Sequence, residues 1–139
     1  MVGLDKRVLE TLKSIVGPEN ISCDKVDLIP YSRDWSLIDA STMFMPDVVV
    51  RPRTTSEVAE VVRLASKESI PVVPWGGGTG LSGGALAVKG GITVDMKGLN
   101  RIVEVDEENL TVKTQVGITV QKLNEGLKRY GLWWPHDPE

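Results

Sequence analysis

The spacing of apolar residues at the start of the chain predicts an amphipathic helix over residues 4–16. One face of this helix carries only apolar side chains, namely Leu4, Val8, Leu12 and Ile15. The Gly-Pro pair at residues 17–18 ends it, because proline cannot continue a helix. Residues 21–30 follow neither a helical nor a strand period, so we predict irregular structure there.

The middle of the chain predicts a strand, a helix and a second strand. Residues 47–51 centre on three valines between prolines, which is typical of a short buried strand. Thr54 can cap the next helix, with Glu57 reaching back in a capping box. Residues 71–74 form the second strand, so we expect a parallel, right-handed β-α-β unit. The buried stripe of its helix consists of Val58, Val61, Val62 and Ala65.

In the last third of the chain, apolar and polar residues alternate in a pattern that predicts strands. Residues 92–96 predict a strand, and residues 101–105 and 110–116 predict an antiparallel hairpin around a polar turn. Thr119 can cap a final helix, which Gly131 stops. The buried stripe of this helix consists of Val120, Leu123, Leu127 and Tyr130.

Together these elements predict an α+β fold whose first lobe is a small β-α-β unit of the α/β type. Residues 1–45 form an N-terminal helix and a lead-in segment, and residues 46–100 form the first lobe. Residues 101–139 begin a second α+β lobe, which we expect to be incomplete.

A glycine-rich loop connects the central strands. Glycine loses more conformational freedom on folding than any other residue, so such a run is a cost unless the backbone needs it. Without Cβ atoms, successive N–H groups can turn toward one point and form a nest for an anion such as a pyrophosphate. The alternative is a flexible surface linker, but such linkers have polar flanks, whereas both flanks here predict buried strands. The loop residues are Pro74, Trp75, Gly76, Gly77, Gly78, Thr79, Gly80, Leu81, Ser82, Gly83 and Gly84.

Three familiar phosphate-binding loops do not fit this stretch. The glycines at 78, 80 and 83 match the spacing G-x-G-x-x-G, but that motif must open a helix, and residues 85–89 are too few for one. The Walker pattern requires Lys and Ser or Thr where Gly84 and Ala85 stand. Residues 87–89 faintly match the strand of kinases that carries a phosphate-binding lysine, but no catalytic loop follows.

The chain resembles the FAD-binding domain of FAD-linked oxidases, the vanillyl-alcohol oxidase and p-cresol methylhydroxylase class. The resemblance is carried by residues 46–52, 54–66, 72–84, 117–118 and 135–138 and covers about residue 30 to the end. The nearest branch is that of D-lactate dehydrogenase and the glycolate oxidase FAD subunit. Residues 31–35 resemble the Tyr-x-x-Asp element that precedes the FAD domain in that branch; a loop with an aromatic anchor is the alternative.

This resemblance implies that the loop holds the FAD pyrophosphate by backbone amides, with Thr79 and Ser82 as hydroxyl donors. His136, Asp137 and Pro138 would lie toward the isoalloxazine. Some relatives attach FAD to a histidine within the loop, but Gly78 or Thr79 stands there, so FAD is expected to be non-covalent. The implied reaction is oxidation of a 2-hydroxy acid such as D-lactate or glycolate, with hydride passing to the flavin.

A catalytic base is not assigned by the sequence. His136 is a weak candidate, because it is the single histidine and titrates near neutrality. An exposed loop histidine is the alternative. Cys23 is expected to be a buried or incidental thiol, and one His with one Cys cannot build the usual zinc ligand sets, so no metal is expected.

Composition excludes several classes of partner and location. The 139 residues are 41% hydrophobic and 25% charged, which suits one moderate domain. With 16 basic and 19 acidic residues the net charge is −3, so nucleic acid is not expected. The sequence shows no export signal and no long apolar stretch, and it has one cysteine, so we expect a cytoplasmic location without a membrane span.

The resembled family continues beyond the last residue with more strands and a cap domain. The sequence is therefore expected to be a fragment or the product of a split gene. Such a chain would associate with itself or with a completing partner. The alternative function is a non-catalytic remnant or subunit that binds a phosphate-bearing ligand or a partner chain.

Overall fold

The chain folds in two units, Met1–Gly98 and Leu99–Glu139. The computed structural model describes residues 4–37 and 41–135. The division follows Gly98, two residues before the predicted boundary. Each unit has its own sheet, and the two are described separately below.

The sheet of the first unit has four strands in the order β1-β2-β4-β3. Strand β4 (Ile92–Asp95) lies in the middle and pairs in parallel with β2 (Val48–Val50) and with β3 (Val72–Trp75). Strand β1 (Ile21–Ser22) adds an antiparallel edge to β2. The predicted β-α-β unit is therefore parallel, with β4 inserted between its two strands.

Helices α1 (Lys6–Val16) and α3 (Thr55–Lys67) cover one face of this sheet. Alternate residues of the central strands point to this face, because successive side chains of a strand point to opposite faces. An ion pair between Arg7 and Glu68, 2.8 Å apart, joins the two helical segments at the surface. The buried core on this side consists of Val8, Leu12, Val16, Val48, Val50, Val61, Ala65, Ile92 and Val94.

The opposite face of the sheet is covered by the lead-in segment. Leu28 and Tyr31 pack there against Val49 and Trp75, in a second, smaller buried cluster. Met45 and Ala85 pack against the same cluster. Both faces of β2 and β4 are therefore buried, as expected for parallel strands.

The start of α3 follows the predicted chemistry with one difference. The Thr54 hydroxyl accepts a hydrogen bond from the Glu57 amide at 3.2 Å, as a helix cap should. The Glu57 carboxylate reaches back to the amide of Arg53 at 2.7 Å, one residue before the cap, and not to Thr54 itself. The predicted stripe was wrong at Val62, which is 46% exposed, because α3 turns Val61 and Ala65 to the sheet.

The prediction that residues 21–30 are irregular was wrong. The stretch contains β1, the one-turn helix α2 (Lys25–Leu28) and a 3-10 turn over Ile29–Tyr31. Asp24 caps α2 by accepting a hydrogen bond from the Val26 amide at 2.9 Å. These elements are too short to show a period in sequence, and β1 exists only because the edge of β2 is available for pairing.

The second unit contains the predicted hairpin and helix. Strands β5 (Ile102–Asp106) and β6 (Thr111–Thr114) pair antiparallel, with an irregularity in register between Ile102 and Glu104. Helix α4 (Val120–Leu127) begins at Thr119, whose hydroxyl accepts from the Lys122 amide at 3.2 Å. Gly131 adopts a left-handed φ of 66° after a 3-10 turn, Lys128–Tyr130. Of the predicted stripe, Leu123 and Leu127 are buried, whereas Val120 is 37% exposed.

Val61 and Val62 provide a matched test of this packing. Val61→Ala should lower the free energy of unfolding by about 2 kcal/mol, because its side chain is fully buried and its loss leaves a cavity. Val62→Ala should change it by less than about 0.5 kcal/mol, because Val62 is 46% exposed and its loss leaves no cavity. Urea titrations of both variants measure the difference. Equal losses would contradict the placement of α3.

Candidate functional site

The glycine loop leaves the carboxyl end of β3 and returns into β4. Open α/β sheets bind ligands at this edge. The return is held by Asp47, whose Oδ2 accepts from the Gly91 amide at 2.6 Å while its own amide donates to the Gly91 carbonyl at 2.9 Å. No helix forms between the loop and β4, as the sequence predicted. Both ends of the loop are therefore tied to the sheet.

Trp75 is the last residue of β3 and supports the loop from below. Its side chain is 5% exposed, so the indole is part of the second cluster. Gly78 lies directly against this ring and has a φ of 69°, and a Cβ atom there would overlap the indole. Gly78 is therefore required by the fold itself, for both backbone conformation and close approach.

Four other glycines of the loop are not required by the fold. Gly76, Gly80 and Gly84 have no described atom within 4 Å of the place a Cβ would occupy, and Gly77 faces only the Thr79 side chain at 3.6 Å. None of the four has a positive φ. A loop surface without Cβ atoms leaves room for a ligand to approach the backbone closely.

The backbone amides of this surface are available for a ligand. Among the described residues, no amide of residues 76–84 donates a hydrogen bond to the protein. Residues 76–88 carry no charged side chain, and the side chains of Thr79 and Ser82 are exposed. Unpaired amides and hydroxyls in a stretch without charged side chains fit an anionic group such as a pyrophosphate.

A buried carboxylate lies beside the base of the loop. Asp95 is 3% exposed and stands opposite Trp75 in the pairing of β3 with β4. It accepts hydrogen bonds from the Tyr31 hydroxyl at 2.7 Å and from the Lys97 amide at 3.0 Å. The Lys97 ammonium is 3.2 Å away and neutralises its charge. A buried charge with these partners avoids the large cost of an isolated one.

Tyr31 joins this carboxylate to the indole. Its ring meets Trp75 edge to face, with centroids 5.1 Å apart and planes at 65°. Burial raises the pKa of Tyr31, and the hydrogen bond to Asp95 raises it further, while Arg51 acts in the opposite direction. Tyr31 is therefore held as a neutral hydrogen-bond donor.

The described residues do not include a catalytic group that the sequence predicted. His136, Asp137 and Pro138 lie outside the described residues. Cys23 is exposed, so of the two expected alternatives the incidental thiol holds and the buried one does not, and partial desolvation raises the pKa of its thiol, so it is not an activated nucleophile. Residues 4–37 and 41–135 contain no group of three or more potential metal ligands. Within the same ranges, no helix is long and apolar enough to cross a bilayer.

The second unit has an apolar cleft of about 350 Å3 between its hairpin and residues 131–134. Trp133 is 71% exposed and Trp134 45% exposed at its rim. Val105, Val112, Leu127 and Leu132 line its floor. The expected self-association or completing partner stays a prediction, as does the cytoplasmic location.

Comparison with known families decides the class of this site. The family described as FAD binding domain matches residues 46–139. The chain belongs to this family. Its cofactor is therefore FAD, in agreement with the open, amide-lined loop between β3 and β4.

The names of several curated relatives of the chain include a 2-hydroxy acid as substrate. The glycolate oxidase subunit GlcD of Bacillus subtilis is 36% identical over 97% of this chain and 28% of its own length. A mitochondrial D-lactate dehydrogenase (cytochrome) of Arabidopsis thaliana is 40% identical over 96% of the chain and 23% of its own length. A D-2-hydroxyglutarate dehydrogenase of Stutzerimonas stutzeri is 32% identical over 96% of the chain and 28% of its own length. The chain thus spans roughly a quarter of these relatives.

Solved structures confirm the fold. An alkyldihydroxyacetonephosphate synthase superposes with a TM-score of 0.88 at 28% identity, over 97% of this chain and 26% of its own. A p-cresol methylhydroxylase superposes with a TM-score of 0.79 at 21% identity, over 91% and 25%. The predicted relation to the FAD-linked oxidases, for the N-terminal part of the domain, is confirmed.

The sequence did not reveal the buried network under the loop. The sequence places Tyr31 in a Tyr-x-x-Asp element without assigning it a role, and it places Asp95 in a predicted strand. An aspartate that ends an otherwise apolar strand is the available signal, because burying a carboxylate requires partners. Its main partner, Tyr31, is 64 residues away in sequence and can be found only in the fold.

Titration of Tyr31 gives a test of this network. Because its pKa is raised by folding, the neutral phenol stabilises the fold fully below pH 10, the ordinary tyrosine value, and this contribution is lost as pH rises through the folded pKa. The stability gap between the protein and Tyr31→Phe should therefore narrow above pH 10. Tyr130 is the other tyrosine, so phenolate absorbance of a Tyr130→Phe variant reports Tyr31 alone. A midpoint at or below the ordinary value would contradict the burial of the hydroxyl.

Proposed function

We propose that the glycine loop holds the pyrophosphate of FAD by its backbone amides. The observation that carries this proposal is the set of glycines at 76, 77, 80 and 84, which the fold itself does not require. Close approach of a ligand to the backbone explains their presence. The amides of residues 76–84, which pair with nothing in the described protein, supply the donors. The hydroxyls of Thr79 and Ser82 add two more.

The flavin is proposed to be bound without a covalent link. Residues 74–84 contain neither histidine nor cysteine, the side chains that attach flavins in some relatives. The fold leaves the side chain of Thr79 exposed beside Gly78, and threonine is a poor nucleophile without a base. The cofactor should therefore depend on hydrogen bonds and burial alone.

The proposed reaction of the whole protein is oxidation of a 2-hydroxy acid. FAD supplies the hydride acceptor in such a reaction. Support comes from the relatives named for glycolate, D-lactate and D-2-hydroxyglutarate, all of which match nearly the whole chain. The residues described here supply cofactor binding. That His136 acts as the catalytic base stays a prediction from the sequence.

One experiment tests cofactor and substrate class together. The purified full chain should show flavin absorbance, or gain it on addition of FAD, and acid precipitation should leave the flavin in the supernatant. In the whole protein under anaerobic conditions, D-lactate, glycolate or D-2-hydroxyglutarate should bleach the bound flavin. Flavin that stays with the precipitate would overturn the non-covalent proposal. Bound flavin that none of the three acids reduces would overturn the substrate class.

Two adjacent glycines separate ligand binding from folding. Gly77→Val should weaken FAD binding about tenfold or more, a loss of about 1.4 kcal/mol, because the branched side chain occupies the ligand surface. Its effect on the unfolding temperature without FAD should be small, because the site is open. Gly78→Val should lower both the FAD affinity and the unfolding temperature. The valine side chain would overlap the Trp75 indole, and the positive φ at this position adds strain of roughly 1–3 kcal/mol.

Lys89→Ala is the control for these variants. Lys89 is exposed and follows the loop, so its removal should change FAD affinity by less than about twofold. Fluorescence titration with FAD gives all three affinities. Equal losses at Gly77 and Lys89 would show that the loop backbone is not the cradle.

A further inference from the structure

The lead-in segment before the matched family region reaches both ends of the glycine loop. The family match begins at residue 46, yet Tyr31 packs on Trp75 at the start of the loop. Ala85, at the far end of the loop, packs against the same buried cluster. Residues 28–36 are called the clamp segment below.

We propose that the clamp segment positions the glycine loop for FAD, with Tyr31 as its main positioning residue. This inference rests on the proposed role of the loop in binding the pyrophosphate. Tyr31 itself does not touch the proposed ligand surface, because it is 5% exposed beneath the loop. Its action passes through Trp75 and Gly78.

Tyr31 fixes the last residues of two strands at once. Its ring contacts Trp75, and its hydroxyl donates to Asp95, the residue paired with Trp75 in the neighbouring strand. A change in the tilt of the indole would break its edge-to-face contact with Tyr31, whose own position is fixed by the hydrogen bond to Asp95. The Trp75 indole lies against the Gly78 backbone. The tilt of the indole therefore determines the position of the turn at Gly78. The path therefore runs from Tyr31 to Trp75 to the amides of the loop.

Asp34 organises the turn at the end of the clamp segment. Its Oδ1 accepts from the Ser36 amide at 2.9 Å and from the Ser36 hydroxyl at 2.5 Å. Its Oδ2 is buried and accepts no hydrogen bond from the described residues. The hydrogen bond from the Ser36 hydroxyl lowers the pKa of Asp34, and burial acts in the opposite direction. Asp34 therefore holds residues 34–36 in one conformation through its hydrogen bonds to Ser36.

The clamp segment is separate from the main core. The helices α1 and α3 pack on the opposite face of the sheet, in a cluster that contains neither Tyr31 nor Trp75. A change at Tyr31 should therefore leave that cluster intact and act on the loop. A change at Val61 should do the reverse, because its side chain belongs to the helical face.

Three variants of the full chain test this inference, with FAD and ADP as ligands. Tyr31→Leu removes both contacts and should weaken FAD binding about tenfold. Tyr31→Phe keeps the ring on Trp75 and should recover most of that loss. Asp34→Asn removes the charge that strengthens the hydrogen bonds to Ser36 and should weaken binding severalfold. ADP carries the pyrophosphate without the flavin ring, so Tyr31→Leu should weaken ADP and FAD by the same factor.

Val61→Ala is the control for a general loss of stability. All titrations are made well below the lowest unfolding temperature, where each variant is folded by circular dichroism. Val61→Ala should then bind FAD as the unchanged protein does, although its unfolding temperature is lower. If it loses affinity in proportion to stability, as Tyr31→Leu does, Tyr31 acts only through the fold and the inference is wrong.

The possible failures are distinguishable. If the unchanged protein binds neither FAD nor ADP, the proposed role of the loop fails and the inference fails with it. If the unchanged protein binds both and Tyr31→Leu binds equally well, only the positioning role is wrong. If Tyr31→Leu does not fold, Tyr31→Phe and Asp34→Asn provide the test. Unchanged affinity for FAD and ADP in both variants overturns the inference. Weaker binding of both ligands by Asp34→Asn supports it.

Discussion

Burial of both faces of β2 and β4 is the constraint on which the first unit depends. Their residues have almost no contact with solvent, and a parallel sheet of this kind must be covered on each side. Helices α1 and α3 cover one side with aliphatic side chains. The other side is covered by the lead-in segment and by Trp75. The second cover serves two purposes, because the indole that closes the core also carries the start of the loop.

The loop itself contributes little to its own rigidity. Its amides are unpaired within the described protein, and three of its six glycines, Gly76, Gly80 and Gly84, have no described atom within 4 Å of the place a Cβ would occupy. Its position is therefore set by attachments outside it, at Trp75, at Ala85 and at the Asp47–Gly91 pair. This arrangement suits a site that binds an anion with main-chain groups, because the donors remain free until the ligand arrives. The charge of Asp95 is neutralised locally by Lys97, and the neutral Tyr31 hydroxyl donates a hydrogen bond to it.

Much of the fold could be predicted because it depends on local chemistry. The cap at Thr54, the hairpin of β5 and β6 and the left-handed Gly131 each rest on residues within a few positions of one another. Errors arose where a distant neighbour decides. Strand β1 requires the edge of β2, and the exposure of Val62 depends on how α3 is rotated on the sheet.

The sequence by itself determined that a glycine loop stands between two strands, and its pattern of residues indicated the FAD-binding class. It could not separate the glycines that the fold requires from those that leave room for a ligand. Only the tertiary structure makes that distinction, because it places an indole against Gly78 and nothing against Gly76 or Gly80. It also brings Tyr31 to Asp95 across 64 residues. Such contacts have no sequence period, since they arise from the packing of one element on another.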